Sequence, residues 1–205
     1  MGQDGSDVEM EDRDVKIEPL RGDNIVLIGL RGSGKTEVGK ALASAMNRTF
    51  IDIDDEVEAD QGKPISEIVK PLPGEDKITA ERRFRNIETR IIQHFSRLSG
   101  VVIAAGGGAV EKTENRDALR ERSFVVWLEA DDTTLFNRLM ADKVGERHRY
   151  KMTELPLDQE IPLVRQRRHK DYMKTQDMSI DTSKKEVKEV IHLIEKEFER
   201  RKAAK

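Results

Sequence analysis

Cysteine is absent from this 205-residue chain, and histidine (four residues), tyrosine (two) and tryptophan (one) are scarce. Without cysteine, a disulfide framework, cysteine-ligated zinc, an iron–sulfur cluster and thiol catalysis are all excluded. Four histidines also argue against a histidine-rich metal site.

The sequence also lacks long apolar runs and a strong excess of either charge. No run approaches the roughly 20 residues that a membrane span needs, and the amino-terminal stretch has no apolar region of the signal-peptide kind. The formal net charge is −3, which does not favour a strongly basic nucleic-acid binder. We therefore expect a cytoplasmic protein whose partners include neither a membrane nor a nucleic acid.

The near-neutral sum conceals an acidic segment at the amino end. Residues 1–23 hold eight acidic and three basic side chains, a charge of −5, which leaves +2 for residues 24–205. The segment has few apolar residues and no aromatic ones, so it is predicted to be disordered. We expect residues 24–205 to form one folded domain.

Apolar patterning predicts strands that alternate with helices. Short apolar runs predict five strands, at residues 25–28, 50–53, 101–105, 124–128 and 178–181. Amphipathic periodicity predicts a helix after residue 34, one through Phe84 to Leu98 and a closing helix from Val187. Further helices are predicted through Leu135 and Leu139 and, polar and rich in arginine, at about 158–172. Such alternation is typical of a mostly parallel sheet covered on both faces, in three α/β/α layers. Residues 61–77 are predicted to be irregular with one helical turn, and residues 143–160 to be a mobile surface segment.

Residues 29–36 read GLRGSGKT and match the P-loop pattern G-x-x-x-x-G-K-[ST]. A predicted strand precedes the match and a predicted helix follows it, which is the context the motif requires. The glycines let backbone N–H groups turn towards phosphate oxygens, and the helix offers its amino end to the same anion. Lys35 would bridge the β- and γ-phosphates, and the Thr36 hydroxyl would ligate Mg²⁺. The motif predicts a nucleotide site without naming the reaction.

Two classes of P-loop protein lack support in the sequence. The guanine-specific Asn-Lys-x-Asp of GTPases is absent, and no long apolar strand ends in aspartate as in motor ATPases. Small kinases, which hold their second substrate on the same compact domain, remain.

Asp52 and Asp54 stand two residues apart at the end of a predicted strand, so we expect both on one face. The carboxyl ends of parallel strands line the ligand crevice in such sheets. One carboxylate could reach Mg²⁺ through water, and the other could accept hydrogen bonds, or a proton, from a substrate hydroxyl. Alternatively, Asp54 or Asp55 could cap the next helix.

Three adjacent glycines, Gly106, Gly107 and Gly108, follow the third predicted strand. They favour either close approach of a ligand to bare backbone N–H groups or a loop with positive φ angles. Arg85 and Arg168 are either solvated helix charges or partners for a substrate carboxylate, whose geometry matches the guanidinium fork.

Six motifs in this order resemble the shikimate kinase family. They are the P-loop at 29–36, Phe-Ile-Asp-Ile-Asp at 50–54, Phe-Arg-x-x-Glu at 84–88, Gly-Gly-Gly-Ala-Val at 106–110, Arg-x-x-x-Tyr at 168–172 and Ile-Asp-Thr at 180–182. The resemblance spans roughly residues 24–198. It implies a fold like that of the nucleoside monophosphate kinases, with a closing lid at about 143–160 and a substrate-binding subdomain at about 54–100. It also implies transfer of the ATP γ-phosphate to the 3-hydroxyl of shikimate, on the route to chorismate and aromatic amino acids.

The resemblance implies roles residue by residue. Asp54 would bind the shikimate hydroxyls and act as the base, and Arg85 and Arg168 would hold its carboxylate. Asp52 would hold Mg²⁺ through water beside Thr36, and the catalytic set would comprise Lys35, Asp54 and a lid arginine, Arg147 or Arg149. The nucleotide would contact Gly32, Ser33, Gly34, Lys35, Thr36, Glu37 and, near the adenine, Arg138. The substrate would contact Asp54, Arg85, Gly106, Gly107, Gly108 and Arg168.

Two departures from the family pattern are visible. About seven extra residues lie between Asp54 and Arg85, and the usual lid sequence Arg-Pro-x-Leu is replaced by Arg-Tyr-Lys-Met at 149–152. A gluconate kinase-like enzyme and a catalytically silent nucleotide-binding module remain the alternative functions. We expect a monomer.

Overall fold

The computed structural model describes residues 21–142 and 155–204. Within these ranges, five strands and eight α-helices alternate along the chain. The strands are β1 (Asn24–Ile28), β2 (Thr49–Asp52), β3 (Val101–Ala104), β4 (Ser123–Glu129) and β5 (Met178–Asp181). The helices are α1 (Lys35–Ala45), α2 (Ile53–Gln61), α3 (Ile65–Ile68), α4 (Lys77–Phe95), α5 (Thr113–Glu121), α6 (Asp132–Ala141), α7 (Leu157–Thr175) and α8 (Val187–Ala203).

The five strands form one parallel sheet in the order β2-β3-β1-β4-β5. β1 lies at the centre, where Val26 pairs with Ile103 of β3 on one side and with Val125 of β4 on the other. A strand that is hydrogen-bonded on both edges and covered on both faces is buried, and all five residues of β1 are buried, of which Ile25 to Ile28 are apolar. The predicted parallel sheet is confirmed.

Two apolar cores cover the two faces of the sheet. Because successive side chains of a strand point to opposite faces, Val26 and Ile28 enter one core and Ile25 and Leu27 the other. The first core lies under α2 to α7 and includes Phe84, and the second lies under α1 and α8. The layered α/β/α architecture follows from this alternation.

Several boundaries differ from the sequence predictions. β2 ends at Asp52 rather than at residue 53, and Ile53 is the first residue of α2. Helix α5 was not predicted, because its sequence TENRDALRE is almost wholly polar and buries only Asn115 and Leu119. Residues 143–154 of the predicted lid lie outside the described residues, and α7 begins at Leu157, so the end of the segment predicted to be mobile is helical.

The loops at the carboxyl ends of β1, β2 and β3 converge on one side of the sheet. The P-loop follows β1, helix α2 follows β2, and the three glycines follow β3. The polar residues selected from the sequence are therefore brought to one edge by the topology. None of the helices in the described ranges is both long and apolar enough to cross a membrane.

Candidate active site

A cleft of about 890 Å³ opens at this edge of the sheet. Its walls are the P-loop, the start of α2, one face of α4, the glycine loop after β3, and α6 and α7. Among its lining residues are Gly32, Ser33, Gly34, Lys35, Thr36, Glu37, Asp52, Asp54, Arg85, Gly106, Gly107, Gly108, Arg138 and Arg168. Every predicted site residue within the described ranges therefore lines one cavity, whereas Arg147 and Arg149 lie outside those ranges.

The P-loop is shaped to receive an anion. Gly32 and Gly34 have φ angles of +82° and +93°, which only glycine adopts without strain. Gly34 precedes α1, and no described side chain caps that helix end, so its first N–H groups face the cleft. Lys35 Nζ donates to the carbonyls of Gly29 and Leu30, at 3.0 Å each. Burial lowers the pKa of Lys35, and the nearby Asp54 and Asp52 partly oppose that shift.

The Asp52 carboxylate accepts hydrogen bonds from two neighbouring residues. Its Oδ1 accepts from the backbone N–H of Asp54 at 3.1 Å and caps α2, while its Oδ2 accepts from the Thr36 hydroxyl at 2.8 Å. The prediction that Asp54 or Asp55 caps this helix is therefore wrong. The idea that strand alternation puts Asp52 and Asp54 on one face is also wrong, because Asp54 belongs to the first turn of α2.

The Thr36–Asp52 pair fits a magnesium ion by its chemistry. A hydroxyl and a carboxylate are hard oxygen ligands, and Mg²⁺ in kinases takes one or two protein oxygens together with phosphates and waters. Within the described residues no cluster of three or more acidic, histidine or cysteine side chains could hold a metal alone.

Asp54 carries an unusual pKa. Burial raises the pKa of this carboxyl from 3.8 to about 7, and repulsion from Asp52 and Glu88 adds to the shift while Lys35 and Arg85 oppose it. The carboxylate is thus poised to gain or lose a proton near neutral pH, which is the property of an effective general base.

Two guanidinium groups lie in the cleft, each with a nitrogen that has no partner within the described ranges. The Arg168 side chain is only 2% exposed and that of Arg85 13% exposed. Among the described residues, Arg168 Nη2 and Arg85 Nε are buried without a hydrogen-bond acceptor. A buried donor without an acceptor costs about 1–3 kcal/mol, so these nitrogens indicate a missing anionic ligand. Neither arginine is the solvated helix charge that the sequence left open.

Glu88 holds Arg85 in place, since its Oε2 accepts from Arg85 Nη1 at 2.7 Å and its own side chain is 1% exposed. Burial would lower the pKa of Arg85, but attraction by Glu88 outweighs that effect and raises it. The guanidinium is therefore fixed and permanently charged.

The glycine loop is needed for space rather than for φ. Gly106, Gly107 and Gly108 are not among the glycines with positive φ, so the positive-φ alternative is wrong. A Cβ at Gly106 would lie 2.6 Å from Asp54 Oδ1, and one at Gly108 would lie 2.3 Å from Arg85 Nη2. The missing side chains let two functional groups reach the loop backbone. The Tyr172 hydroxyl then fixes that backbone by donating to the Gly107 carbonyl at 2.6 Å.

Arg138 is tied to the P-loop. It donates to the Gly32 carbonyl at 3.3 Å, to the Thr182 hydroxyl at 3.0 Å and to the Thr182 carbonyl at 2.8 Å. Thr182 and Tyr172 belong to the quoted motifs, but no role was predicted for them. Glu111, which bonds Arg168, lies just beyond its motif and was missed altogether.

A phosphate loop on a parallel sheet, facing a poised carboxylate and two buried arginines across the same cleft, defines a P-loop small-molecule kinase. A family model described as shikimate kinase matches residues 31–199. The chain belongs to the shikimate kinase family, whose members transfer phosphate to a hydroxyl of shikimate. The fold and the family resemblance predicted from the motifs are thereby confirmed.

Individual relatives agree with this assignment. The chain is 43% identical over 124 residues to the shikimate kinase of Symbiobacterium thermophilum, which covers 60% of this chain and 67% of that protein. It is 40% identical over 120 residues to that of Burkholderia lata, with 58% and 61% covered. The chain thus spans about two thirds or less of the length of these relatives.

Solved structures extend the likeness over more of the fold. A shikimate kinase from Acinetobacter baumannii in complex with shikimate has a TM-score of 0.76 and 27% identity, covering 85% of this chain and 92% of that one. The shikimate kinase of Aquifex aeolicus gives a TM-score of 0.65 at 27% identity, covering 86% and 96%.

Proposed function

We propose that this chain is a shikimate kinase, which transfers the ATP γ-phosphoryl group to the 3-hydroxyl of shikimate and releases ADP. One observation carries the proposal: the buried guanidiniums of Arg85 and Arg168, each with a nitrogen that no described residue pairs, lie in the same cleft as the P-loop. A carboxylate is the ligand whose two oxygens match a guanidinium. The acceptor is therefore an alcohol that also bears a carboxylate.

The cleft divides into a donor half and an acceptor half. The donor half comprises the P-loop, whose N–H groups and Lys35 would hold the triphosphate, and Arg138 beside it. Mg²⁺ held at Thr36 and Asp52 would neutralise charge on the β- and γ-phosphates. The acceptor half comprises Asp54 and the two arginines, with the glycine loop between them.

The proposed reaction is an in-line displacement at the γ-phosphorus. The acceptor oxygen forms a bond to phosphorus while the bond to the ADP oxygen breaks, and the hydroxyl proton passes to the ionised carboxylate of Asp54. This transfer requires Asp54 to be ionised at the outset, so its elevated pKa balances proton affinity against availability near neutral pH. Positioning and electrostatic stabilisation supply most of the remaining catalysis.

Other assignments remain predictions. They are the kinase domain at 24–205 behind an acidic segment at 1–23, the substrate-binding region at about 54–100, and a lid arginine at Arg147 or Arg149. The monomeric state likewise stays a prediction.

The experiment measures ADP release by the full chain with ATP and Mg²⁺, offering shikimate, gluconate or a nucleoside monophosphate as acceptor. We expect turnover with shikimate and none with the other two. Turnover with gluconate instead would identify the alternative kinase, and no turnover with any acceptor would favour the silent nucleotide-binding module.

A matched pair of variants tests the proposed base. Asp54→Asn keeps the shape of the side chain but cannot take the proton, so turnover should fall at least about 100-fold while nucleotide affinity is nearly unchanged. Asp55→Asn changes an exposed neighbour in the same helical turn and should retain activity. If Asp54→Asn remains active, the base assignment is wrong.

A further inference from the structure

Glu111 ends the 3₁₀ turn Ala109–Glu111 that directly follows the glycine loop. Its side chain is 23% exposed and its Oε1 accepts two hydrogen bonds, from Arg168 Nε at 2.6 Å and from Arg167 Nη2 at 2.7 Å. Burial would raise the pKa of Glu111, but the neighbouring arginines outweigh that effect and lower it. Glu111 is therefore a fixed anion beside the acceptor half of the cleft.

The contact uses one particular part of the Arg168 guanidinium. Glu111 engages Nε, whereas Nη2 is buried without a partner among the described residues. Nη1 lies beside the glycine loop, 3.4 Å from where a Cβ on Gly107 would be. A guanidinium can bind a carboxylate through its Nε–Nη2 edge or through its Nη1–Nη2 edge. With Nε occupied, the Nη1–Nη2 edge is the one left for a ligand.

Electrostatics give the same residue a second effect. Arg85 and Arg168 are like charges that share one substrate group, and both are attracted by Glu111. The Glu111 carboxylate, which attracts both guanidiniums, reduces the repulsion between Arg85 and Arg168. Arg167 lies on the outer side with a side chain that is 55% exposed, and it holds Glu111 from the solvent side.

We propose that Glu111 is a positioning residue: by accepting from Arg168 Nε, it orients the Nη1–Nη2 edge of that guanidinium towards the carboxylate of the acceptor. This inference rests on the proposed function, because it takes the acceptor to carry a carboxylate. The opposite possibility is that Glu111 competes with the substrate for Arg168. The observed contact disfavours competition, since it leaves both terminal nitrogens free of Glu111.

Steady-state kinetics distinguish the positioning of Arg168 by Glu111 from competition between Glu111 and the substrate. Glu111→Ala should raise the KM for shikimate about 10-fold, the equivalent of one charge-assisted hydrogen bond. The KM for ATP and kcat should change less than about twofold. Glu111→Gln retains an acceptor oxygen for Arg168 Nε and should bring the shikimate KM back to within about threefold of the unaltered chain. An unchanged KM in Glu111→Ala overturns the proposal, and a lowered KM establishes competition instead.

Glu197 offers a matched control. It also joins two arginines through one carboxylate, Arg200 and Arg201 at 2.7 Å each, but on α8 rather than in the cleft. Glu197→Ala should cost a comparable amount of stability and leave every kinetic constant unchanged. If it raises the shikimate KM as much as Glu111→Ala does, the effect of Glu111 is merely structural and the proposal fails.

A spectroscopic readout tests the positioning without any turnover. In chain labelled with ¹⁵N-arginine, the Nε–H signal of Arg168, assigned with Arg168→Lys, should shift or broaden in Glu111→Ala and stay in place in Glu197→Ala. An Arg168 signal that Glu111→Ala leaves unchanged overturns the proposal whatever the activity. If the unaltered chain does not phosphorylate shikimate, the proposed function fails, and this signal alone decides the role of Glu111.

Discussion

Substituting Gly108 by alanine tests the acceptor half of the cleft with a single added methyl group. The backbone at Gly108 has φ −97° and ψ −2°, a conformation that alanine adopts without strain. The new Cβ would lie 2.3 Å from Arg85 Nη2, 2.6 Å from its Cζ and 2.7 Å from its Nη1. These atoms form the far end of a flexible side chain, so the guanidinium must move and the fold should survive.

The size of the effect follows from the displacement. Restoring ordinary contact requires a shift of about 1 Å, because carbon and nitrogen atoms are normally at least about 3.4 Å apart. Such a shift breaks the 2.7 Å bond between Arg85 Nη1 and Glu88 and moves the cation away from the acceptor carboxylate. A hydrogen bond to a charged group contributes about 1.5–3 kcal/mol, so the KM for shikimate should rise about 10- to 100-fold.

The assay is steady-state ADP release with shikimate varied at saturating ATP, alongside thermal melting. Gly106→Ala makes a useful comparison, since its Cβ would lie 2.6 Å from Asp54 Oδ1 and should lower kcat rather than raise KM. Gly74→Ala is a control for backbone strain, because Gly74 has φ +83° and no atom near its added Cβ. It should melt earlier with unchanged kinetics. A normal shikimate KM in Gly108→Ala, or the same kinetic change in the two loop variants, would refute the reasoning.

Three further perturbations have defined outcomes. Because the pKa of Asp54 is raised to about 7 in the ligand-free fold, kcat/KM measured against pH should fall about tenfold per pH unit below 7. Folding favours the protonated carboxyl of Asp54, so its contribution to the free energy of unfolding is complete below about pH 4 and is lost as the pH rises through 7. Urea titrations of Asp54→Asn should lack this decline. Lys35→Met removes the cation that would bridge the phosphates, so nucleotide titration should show weaker ATP binding and kcat should fall at least about 100-fold. Tyr172→Phe removes the hydrogen bond to the Gly107 carbonyl. It should lower the free energy of unfolding by about 1 kcal/mol in urea titrations and raise the shikimate KM. A shikimate KM equal to that of the unaltered chain would show that the hydroxyl only supports the fold.

The features that local sequence determines were predictable. The P-loop joins a buried strand to an amphipathic helix, and all of its signals lie within about 20 consecutive residues. The five strands were predictable for the same reason, since each is a short apolar run. Helix α5 was missed because its few buried residues give no apolar stripe.

Side chains that act through long-range contacts were predicted less well. Asp52 and Asp54 were predicted at the correct end of the sheet. Only the fold shows that Asp52 caps α2 and that Asp54 lies in the first turn of that helix. Glu111 gave no signal at all, because it ends a short 3₁₀ turn and its partner Arg168 is 57 residues away. A sequence can show that an arginine is present, but the acceptor that orients it becomes visible only when two distant segments meet.

The ligand-free cleft combines groups that disfavour one another. Burial and the neighbouring carboxylates of Asp52 and Glu88 raise the pKa of Asp54, while Arg85 and Arg168 bring like charges together and, among the described residues, leave buried nitrogens without acceptors. Each of these costs is relieved by one part of the proposed acceptor. In the proposed complex a substrate hydroxyl would donate to the Asp54 carboxylate, and a substrate carboxylate would accept from the arginine nitrogens that have no partner among the described residues. From the polarity of the cleft we therefore expect the proposed acceptor to bind with its alcohol towards the P-loop and its acid towards α4 and α7.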